Sequence, residues 1–172
     1  YIERNPLRAK LVRRAENWRW SSLWLRRHPD ERHDDVPQLE RWLRKQGADV
    51  AVMNAGVSGD TTQGGLSRVD WTLTPEVDAI IVALGGNDLL RGIDPSGSRA
   101  NLDGILAAAA EREIPVLLVG MSAPGNYGPD YKAAFDAMYP ELSESYGALY
   151  YPGFLDALAS QEDRQGALQS YM

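Results

Sequence analysis

The chain of 172 residues contains no cysteine, only two histidines, and no apolar run of the length that a membrane span requires. Without cysteine, disulfides and thiolate metal sites are excluded. A span needs roughly 18 consecutive apolar residues, so we expect none, and no secretory signal is visible. Because His28 and His33 both precede residue 36, every later segment lacks a histidine. The first residue is Tyr1 rather than methionine, which indicates a fragment or a processed chain.

Length and composition are sufficient for one core. Hydrophobic residues make up 44% of the chain, and its mean hydropathy is -0.39. These values predict one globular domain and leave little room for two.

Charge divides the chain into two regions. Residues 1–35 hold nine Lys and Arg against six Asp and Glu, whereas residues 36–172 hold nine against eighteen. Three of the five tryptophans, Trp18, Trp20 and Trp24, also lie in the basic region. We therefore predict a basic helical element, residues 1–35, joined to an acidic domain, residues 36–172. A solvated helical face with buried tryptophans is favoured over nucleic-acid binding.

From residue 36 onward, amphipathic helical patterns alternate with short apolar runs typical of buried strands. The predicted strands are Val50–Met53, Val77–Leu84, Ile114–Met121 and Ala148–Tyr151. Five helices are predicted. The first begins at Asp35 and ends at Gly47, the second includes Leu66, Val69 and Leu73, and the third begins at Asp94 and Pro95. The fourth runs from Asp130 to Tyr146, with Pro140 breaking or kinking it, and the fifth begins near Phe154. This alternation predicts right-handed crossovers and a three-layer α/β/α sandwich with a parallel sheet.

Two polar stretches follow predicted strands. They are Asn54 to Thr62, after the first strand, and Leu84 to Asp88, after the second. Ligands of such sheets bind at the carboxyl ends of the strands, so we expect the two stretches to form one site. A glycine at Gly59 permits close approach of the backbone to a carbonyl, and its N–H can then face a developing oxyanion. Asn87 offers a side-chain NH2 as a second donor.

Both stretches resemble two of the four motif blocks of the SGNH-hydrolase (GDSL-type) esterases. The likeness is closest to the arylesterase, acyl-CoA thioesterase I and lysophospholipase L1 branch. The resemblance implies a flavodoxin-like sheet of order 2-1-3-4-5 and hydrolysis of small-molecule acyl esters or thioesters, without a cofactor or metal. It also implies that Gly59 and Asn87 are the oxyanion-hole donors. We expect Asp60 and Asp88 to support the two loops by hydrogen bonds rather than to act as acids.

The resemblance extends to an acyl groove. Leu89, Leu90 and Arg91 match the mobile loop that borders the groove in this branch, and Met121 and Pro124 match its facing wall. All five are therefore candidate substrate-binding residues. For Leu89 and Met121, ordinary core packing is an equally good interpretation.

Two family blocks have no counterpart where the family places them. One is the Gly-Asp-Ser-Leu block, which carries the nucleophile on the loop after the first strand. The other is the Asp-x-x-His block near the end, which carries acid and base. We therefore expect an incomplete domain that lacks its first, central strand and is inactive as it stands. Ser21, Ser22, His28 and His33 are not expected to replace the missing groups.

Residues 1–35 resemble the C-terminal end of REP-associated tyrosine transposases, with Tyr1 at the nucleophile position. No His-x-His metal motif accompanies Tyr1, so we do not expect DNA cleavage. Two alternatives to the hydrolase interpretation stay open: a catalytically dead acyl-binding module, and a DNA-binding remnant that carries a passenger domain. Relatives of the branch are often periplasmic or secreted, but the sequence leaves the compartment undetermined.

Overall fold

The computed structural model describes residues 35 to 153. Residues 35–56 belong to one compact unit and residues 57–153 to another. The helix predicted from Phe154 and nearly all of the transposase-like region lie outside the described residues. No helix within the described range is long and apolar enough to cross a membrane.

The first unit contains one helix, α1 (Asp35–Lys45). The main-chain N–H of Gly47 donates to Arg44, and that of Ala48 donates to Leu43, a Schellman arrangement that closes the helix. Gly47 therefore ends α1, as the sequence predicted. The apolar residues of α1 are only partly buried, since Leu39 is 37% and Trp42 58% exposed.

The strand predicted at Val50–Met53 is wrong: these residues have no regular secondary structure. A strand needs a neighbour whose main chain pairs with its own. Here side chains of α1 take that role, because Glu40 accepts from the N–H of Val52 (2.9 Å) and Arg44 donates to the carbonyl of Val50 (2.8 Å).

The second unit is built on a parallel sheet of three strands in the order β1 (Ile80–Val82), β2 (Val116–Val119) and β3 (Leu149–Tyr151). Each strand is shorter than its predicted range. Within the described residues, β1 pairs only with β2, so its other edge lies where the flavodoxin-like order would place the first, central strand.

Four helices accompany the sheet: α2 (Thr62–Thr72), α3 (Gly86–Arg91), α4 (Pro95–Ala110) and α5 (Pro129–Tyr146). The crossovers through α4 and α5 advance in the same direction across the sheet, which lays both helices on one face. α2 packs against α4 on that side, and the three helices share one core with the strands. Residues less than 2% exposed in this core include Leu102, Leu106, Ala109, Leu118, Phe135, Met138 and Tyr139.

Two details differ from the prediction. The strand Val77–Leu84 was expected to be covered on both faces, but Ile81 is 53% exposed because α2, α4 and α5 cover the opposite face. Pro140 does not break its helix, which continues from Pro129 to Tyr146. Burial of Phe135, Met138, Tyr139 and Leu142 along α5 outweighs the local cost of the proline.

The start of α4 is as predicted. Asp94 accepts a hydrogen bond from the N–H of Ser96 at 2.8 Å, and Pro95 occupies the first turn.

Candidate active site

A tight turn at Val57 to Asp60 precedes α2. The N–H of Asp60 donates to the carbonyl of Val57 at 3.1 Å, and Gly59 has a φ of 81°. Ser58 keeps a negative φ, so the turn is of type II, which requires a left-handed residue at its third position. Glycine takes this conformation without steric cost.

The helix α3 places two donors against this turn. Asn87 and Arg91 are four residues apart and therefore share one helix face. The Asn87 Nδ2 donates to the carbonyl of Asp60 and the Arg91 Nη2 to the carbonyl of Gly59, each at 2.8 Å. Two successive carbonyls of the β-turn, those of Gly59 and Asp60, thus accept hydrogen bonds from two residues of α3 that lie one helical turn apart.

Two N–H groups at this junction remain for a ligand. A carboxamide has two N–H donors, and within the described residues Asn87 uses one of them, on Asp60. No acceptor in residues 35–153 takes a hydrogen bond from the N–H of Gly59. The structure therefore brings the two predicted oxyanion-hole residues to neighbouring positions, each half-buried.

Asp88 connects α3 with the start of α2 through buried hydrogen bonds. Its side chain is fully buried and accepts from the N–H of Thr62 (2.9 Å), the hydroxyl of Thr62 (2.6 Å) and the hydroxyl of Ser98 (3.0 Å). The Asn101 side chain donates in turn to the Thr62 hydroxyl at 3.0 Å. These contacts connect α2, α3 and α4 through one buried carboxyl group.

Asp60 is held locally. It accepts from the N–H of Thr61 at 3.0 Å and forms an ion pair with Arg68, which lies about two helical turns along α2. Within residues 35–153, no three Asp, Glu or His side chains gather in a way that could hold a metal ion.

Gly85 allows the turn into α3. Its φ is 114°, and a Cβ at this position would lie 2.1 Å from the hydroxyl of Tyr139. That hydroxyl donates to the carbonyl of Leu84 at 3.0 Å. Burial raises the pKa of Tyr139 well above its ordinary value, so the phenol stays protonated and keeps donating.

The candidate groove residues differ in their surroundings. Leu89 and Met121 are half-buried and pack against the core, and the Met121 sulfur lies 3.5 Å from the position that a Cβ on Gly86 would take. Leu90 is 69% exposed and Pro124 is exposed. Leu90 and Pro124 are thus accessible to a ligand, whereas Leu89 and Met121 also contribute to packing.

A second aspartate, Asp136 of α5, holds the loop after β2. It accepts from the N–H of Ala123 (2.7 Å) and the hydroxyl of Ser122 (3.0 Å), and it pairs with Lys132 (2.6 Å). Burial alone would raise the pKa of Asp136, but the hydrogen bonds from Lys132, Ala123 and Ser122 and the charge of Lys132 bring it below its ordinary value.

An aromatic ladder on α5 reaches the end of α3. Tyr127, Tyr131, Phe135 and Tyr139 follow one another with ring centroids 4.9 to 6.0 Å apart. The Tyr131 hydroxyl donates to the carbonyl of Ile93 at 2.9 Å, and burial raises its pKa. The ladder therefore anchors the segment that follows Arg91.

Several contacts were not predicted. They are made by residues that belong to no recognisable sequence motif and that reach the site only through the tertiary fold: Ser98, Asn101, Arg68 and Asp136. The sequence also contains one Asp-x-x-His spacing, Asp30 to His33, which precedes the other blocks instead of following them and lies outside the described residues.

Three curated relatives resemble the chain. Esterase TesA of Pseudomonas aeruginosa is 38% identical over 136 residues, which cover 78% of this chain and 66% of that protein. The arylesterase of Vibrio mimicus is 33% identical over 122 residues, which cover 70% and 61%. Thioesterase 1/protease 1/lysophospholipase L1 of Escherichia coli (strain K12) is 36% identical over 118 residues, which cover 68% and 55%. The chain thus spans 55% to 66% of the length of these relatives.

Solved structures resemble it as well. AlinE4, a SGNH-hydrolase family esterase, is 42% identical with a TM-score of 0.72, over 83% of this chain and 82% of that one. The esterase EstA from Pseudoalteromonas sp., solved when inhibited by monoethylphosphonate, is 28% identical with a TM-score of 0.67, over 77% and 74%.

The model of the GDSL-like lipase/acylhydrolase family matches residues 16–170, nearly the whole chain. A hydrogen bond from Asn87 to Asp60 joins the two motif blocks, and the fold is that of SGNH-hydrolase esterases. By these observations, the chain belongs to the GDSL-like lipase/acylhydrolase family.

Proposed function

We propose that this chain supplies the oxyanion hole of a hydrolase of carboxylic esters or acyl thioesters, with the Gly59 N–H and the Asn87 carboxamide as donors. The observation that carries the proposal is the 2.8 Å hydrogen bond from Asn87 to Asp60, which holds the carboxamide beside the Gly59 turn. Attack on an acyl carbonyl turns its oxygen into an oxyanion, and donors fixed in advance at that point lower the barrier.

Relatives support the same chemistry. Those compared above are named as esterases, an arylesterase and a thioesterase/lysophospholipase. EstA is inhibited by monoethylphosphonate, a compound whose tetrahedral phosphorus carries a negative oxygen like that of the acyl-transfer intermediate. A site with two N–H donors suits such an oxygen.

Turnover needs groups that residues 35–153 do not supply. This range contains no Gly-Asp-Ser sequence and no histidine, so it lacks a serine nucleophile with its base. We therefore expect the 172-residue chain alone to hydrolyse p-nitrophenyl acetate no faster than buffer. The complete activity requires a serine block and an Asp-x-x-His block.

A chimera tests the proposal. Residues 57–153 replace the matching segment of AlinE4, which keeps its own serine and Asp-x-x-His blocks. We expect the chimera to hydrolyse p-nitrophenyl butyrate, and Asn87→Ala to lower its kcat about 100- to 1000-fold, as loss of one oxyanion-hole donor does elsewhere.

Asn126→Ala is the matched control, because Asn126 is an exposed asparagine in the 3-10 turn Gly125–Tyr127. It should leave kcat within about two-fold, the range of an ordinary surface change. A chimera that folds but does not hydrolyse the ester, or an Asn87→Ala variant with full kcat, would refute the assignment.

Acyl binding without turnover is the second candidate. It is favoured by the exposure of Leu90 on α3, the helix that carries Asn87. Isothermal titration calorimetry of the 172-residue chain with decanoate tests this candidate. Binding that Leu90→Ser weakens, with no ester turnover, would support it.

A further inference from the structure

Arg91 is the last residue of α3, and its side chain contacts the turn that carries Gly59. The Arg91 Nη2 donates to the Gly59 carbonyl at 2.8 Å, and no carboxylate among residues 35–153 forms an ion pair with Arg91. The residue is exposed, so burial of its charge is not involved. Its one described polar partner is a main-chain carbonyl of the candidate site.

The N–H and the carbonyl of Gly59 belong to two different peptides of the turn. That N–H belongs to the Ser58–Gly59 peptide, the central peptide of a type II turn. Rotation of the central peptide converts type II into type I and reverses the direction of this N–H. The Gly59 carbonyl belongs to the following peptide, Gly59–Asp60, so the contact with Arg91 fixes where the turn lies relative to α3 and does not act on the central peptide directly.

Hydrogen bonds restrain the main chain on either side of Arg91. The N–H of Ile93 donates to the carbonyl of Asp88 at 3.0 Å and closes α3. The Tyr131 hydroxyl holds the carbonyl of Ile93. Asn87, one turn earlier on the same face, holds the next carbonyl of the turn, that of Asp60.

We infer that Arg91 is a positioning residue of the oxyanion hole: by holding the Gly59 carbonyl from the helix that carries Asn87, it fixes the Gly59 turn at a set distance from the Asn87 carboxamide. The role rests on the proposed function. It differs from the groove contact that the family resemblance implied for Arg91, because the guanidinium reaches the main chain of the turn. A charge-assisted hydrogen bond suits this task, since it is stronger than a neutral one.

Amide NMR of the 172-residue chain tests the inference, with sodium hexanoate as a carboxylate probe and sodium chloride at equal ionic strength as reference. In Arg91→Met we expect the Gly59 and Asp60 amide resonances to shift and broaden without any ligand. Hexanoate affinity should fall about ten-fold or more, the size expected for losing one hydrogen bond to a charged group.

Two further variants separate geometry from charge and folding. Arg91→Lys keeps the charge but lacks the guanidinium fork, so it should also displace the Gly59 resonance. Arg99→Met removes another surface arginine, which pairs with Glu141, and should leave Gly59 and hexanoate affinity unchanged.

The outcomes are distinguishable. Gly59 and Asp60 resonances that are the same in wild type and Arg91→Met would overturn the inference, whether or not hexanoate binds. A second pattern would also overturn the inference: Arg91→Lys keeps full hexanoate affinity, and Arg91→Met loses affinity without any shift of the Gly59 resonance. Charge alone would then explain the loss of affinity. A wild-type chain whose Gly59 and Asn87 signals ignore hexanoate would count against the proposed function, while the unliganded shift at Gly59 still reports on Arg91.

Discussion

Two loops at the same edge of the sheet are each held by one aspartate, but by opposite means. The β1 loop, residues 83–94, contains Asp88, which is fully buried and receives hydrogen bonds only from hydroxyls and an N–H. The β2 loop, residues 120–128, is held by Asp136, whose side chain is 33% exposed and pairs with Lys132. The first depends on desolvated neutral donors alone, whereas the second combines two neutral donors, the Ala123 N–H and the Ser122 hydroxyl, with a partly exposed ion pair.

This difference predicts unequal energies. A buried polar group that loses its partner pays the desolvation cost in full, about 1 to 3 kcal/mol per group. An exposed ion pair contributes about 1 kcal/mol or less and is screened by salt. The β1 loop, which carries Asn87 and Arg91, should therefore be the more rigid of the two.

The largest effect is expected at Asp88. Asp88→Ala leaves the N–H and hydroxyl of Thr62 and the hydroxyl of Ser98 without their acceptor, and should lower the free energy of unfolding by about 4 kcal/mol. Urea denaturation followed by circular dichroism measures this loss. Asp78→Ala, at an exposed aspartate, is the control and should change little. An Asp88→Ala cost no larger than that of Asp136→Ala would remove the contrast between the loops.

The next effect concerns the glycines of the two loops. Gly85→Ala introduces a Cβ 2.1 Å from the Tyr139 hydroxyl at a φ of 114°, and should cost about 3 kcal/mol. Gly125→Ala in the β2 loop meets no atom within 4 Å and should cost under about 0.5 kcal/mol.

The double variant Gly85→Ala with Tyr139→Phe sharpens this prediction. Removing the hydroxyl leaves the ring carbon as the nearest atom, at 3.4 Å, so the steric part of the cost should be relieved. We expect the double variant to be about 1 kcal/mol more stable than the sum of the single changes predicts, measured as a double-mutant cycle. Strict additivity would mean that the positive φ alone explains the cost.

A smaller effect is expected at Asp136. Asp136→Asn keeps the shape but weakens the pairing with Lys132, and should cost about 1 kcal/mol in dilute buffer. In 1 M NaCl the part of this difference that comes from the ion pair should disappear, because the pair is exposed. Asp88→Asn should be insensitive to the same salt. Equal salt responses at the two positions would contradict the assignment.

The smallest effect is a dependence on pH. The pKa of Asp136 is lowered in the folded state, so its contribution is fully present above the unfolded value of about 3.9 and is lost as the pH falls through the folded value. The stability difference between wild type and Asp136→Asn should stay level from pH 7 to about 4 and then decline. Urea midpoints across this range measure it. A difference that declines already near pH 6 would point to another titrating group.

Local chemistry made much of the site predictable. The helix end at Gly47 and the cap at Asp94 follow from short-range rules, and the structure confirms them, whereas the short helix α3 stands where only a loop was predicted. The strand at Val50–Met53 failed for the opposite reason. An apolar run can become a strand only where another strand pairs with it, and pairing is a property of the assembled sheet.

By itself, the sequence of this protein determined the α/β class, the family and the residues that meet at the strand ends, because turn glycines, capping residues and apolar runs act over a few neighbouring positions. Tertiary structure alone decided which partners those residues have: Arg91 on the Gly59 carbonyl, Ser98 on Asp88, and Tyr139 against Gly85. Such pairs lie 10 to 54 residues apart in the chain, and a hydrogen bond at that separation depends on the packing of whole helices, which no local pattern records.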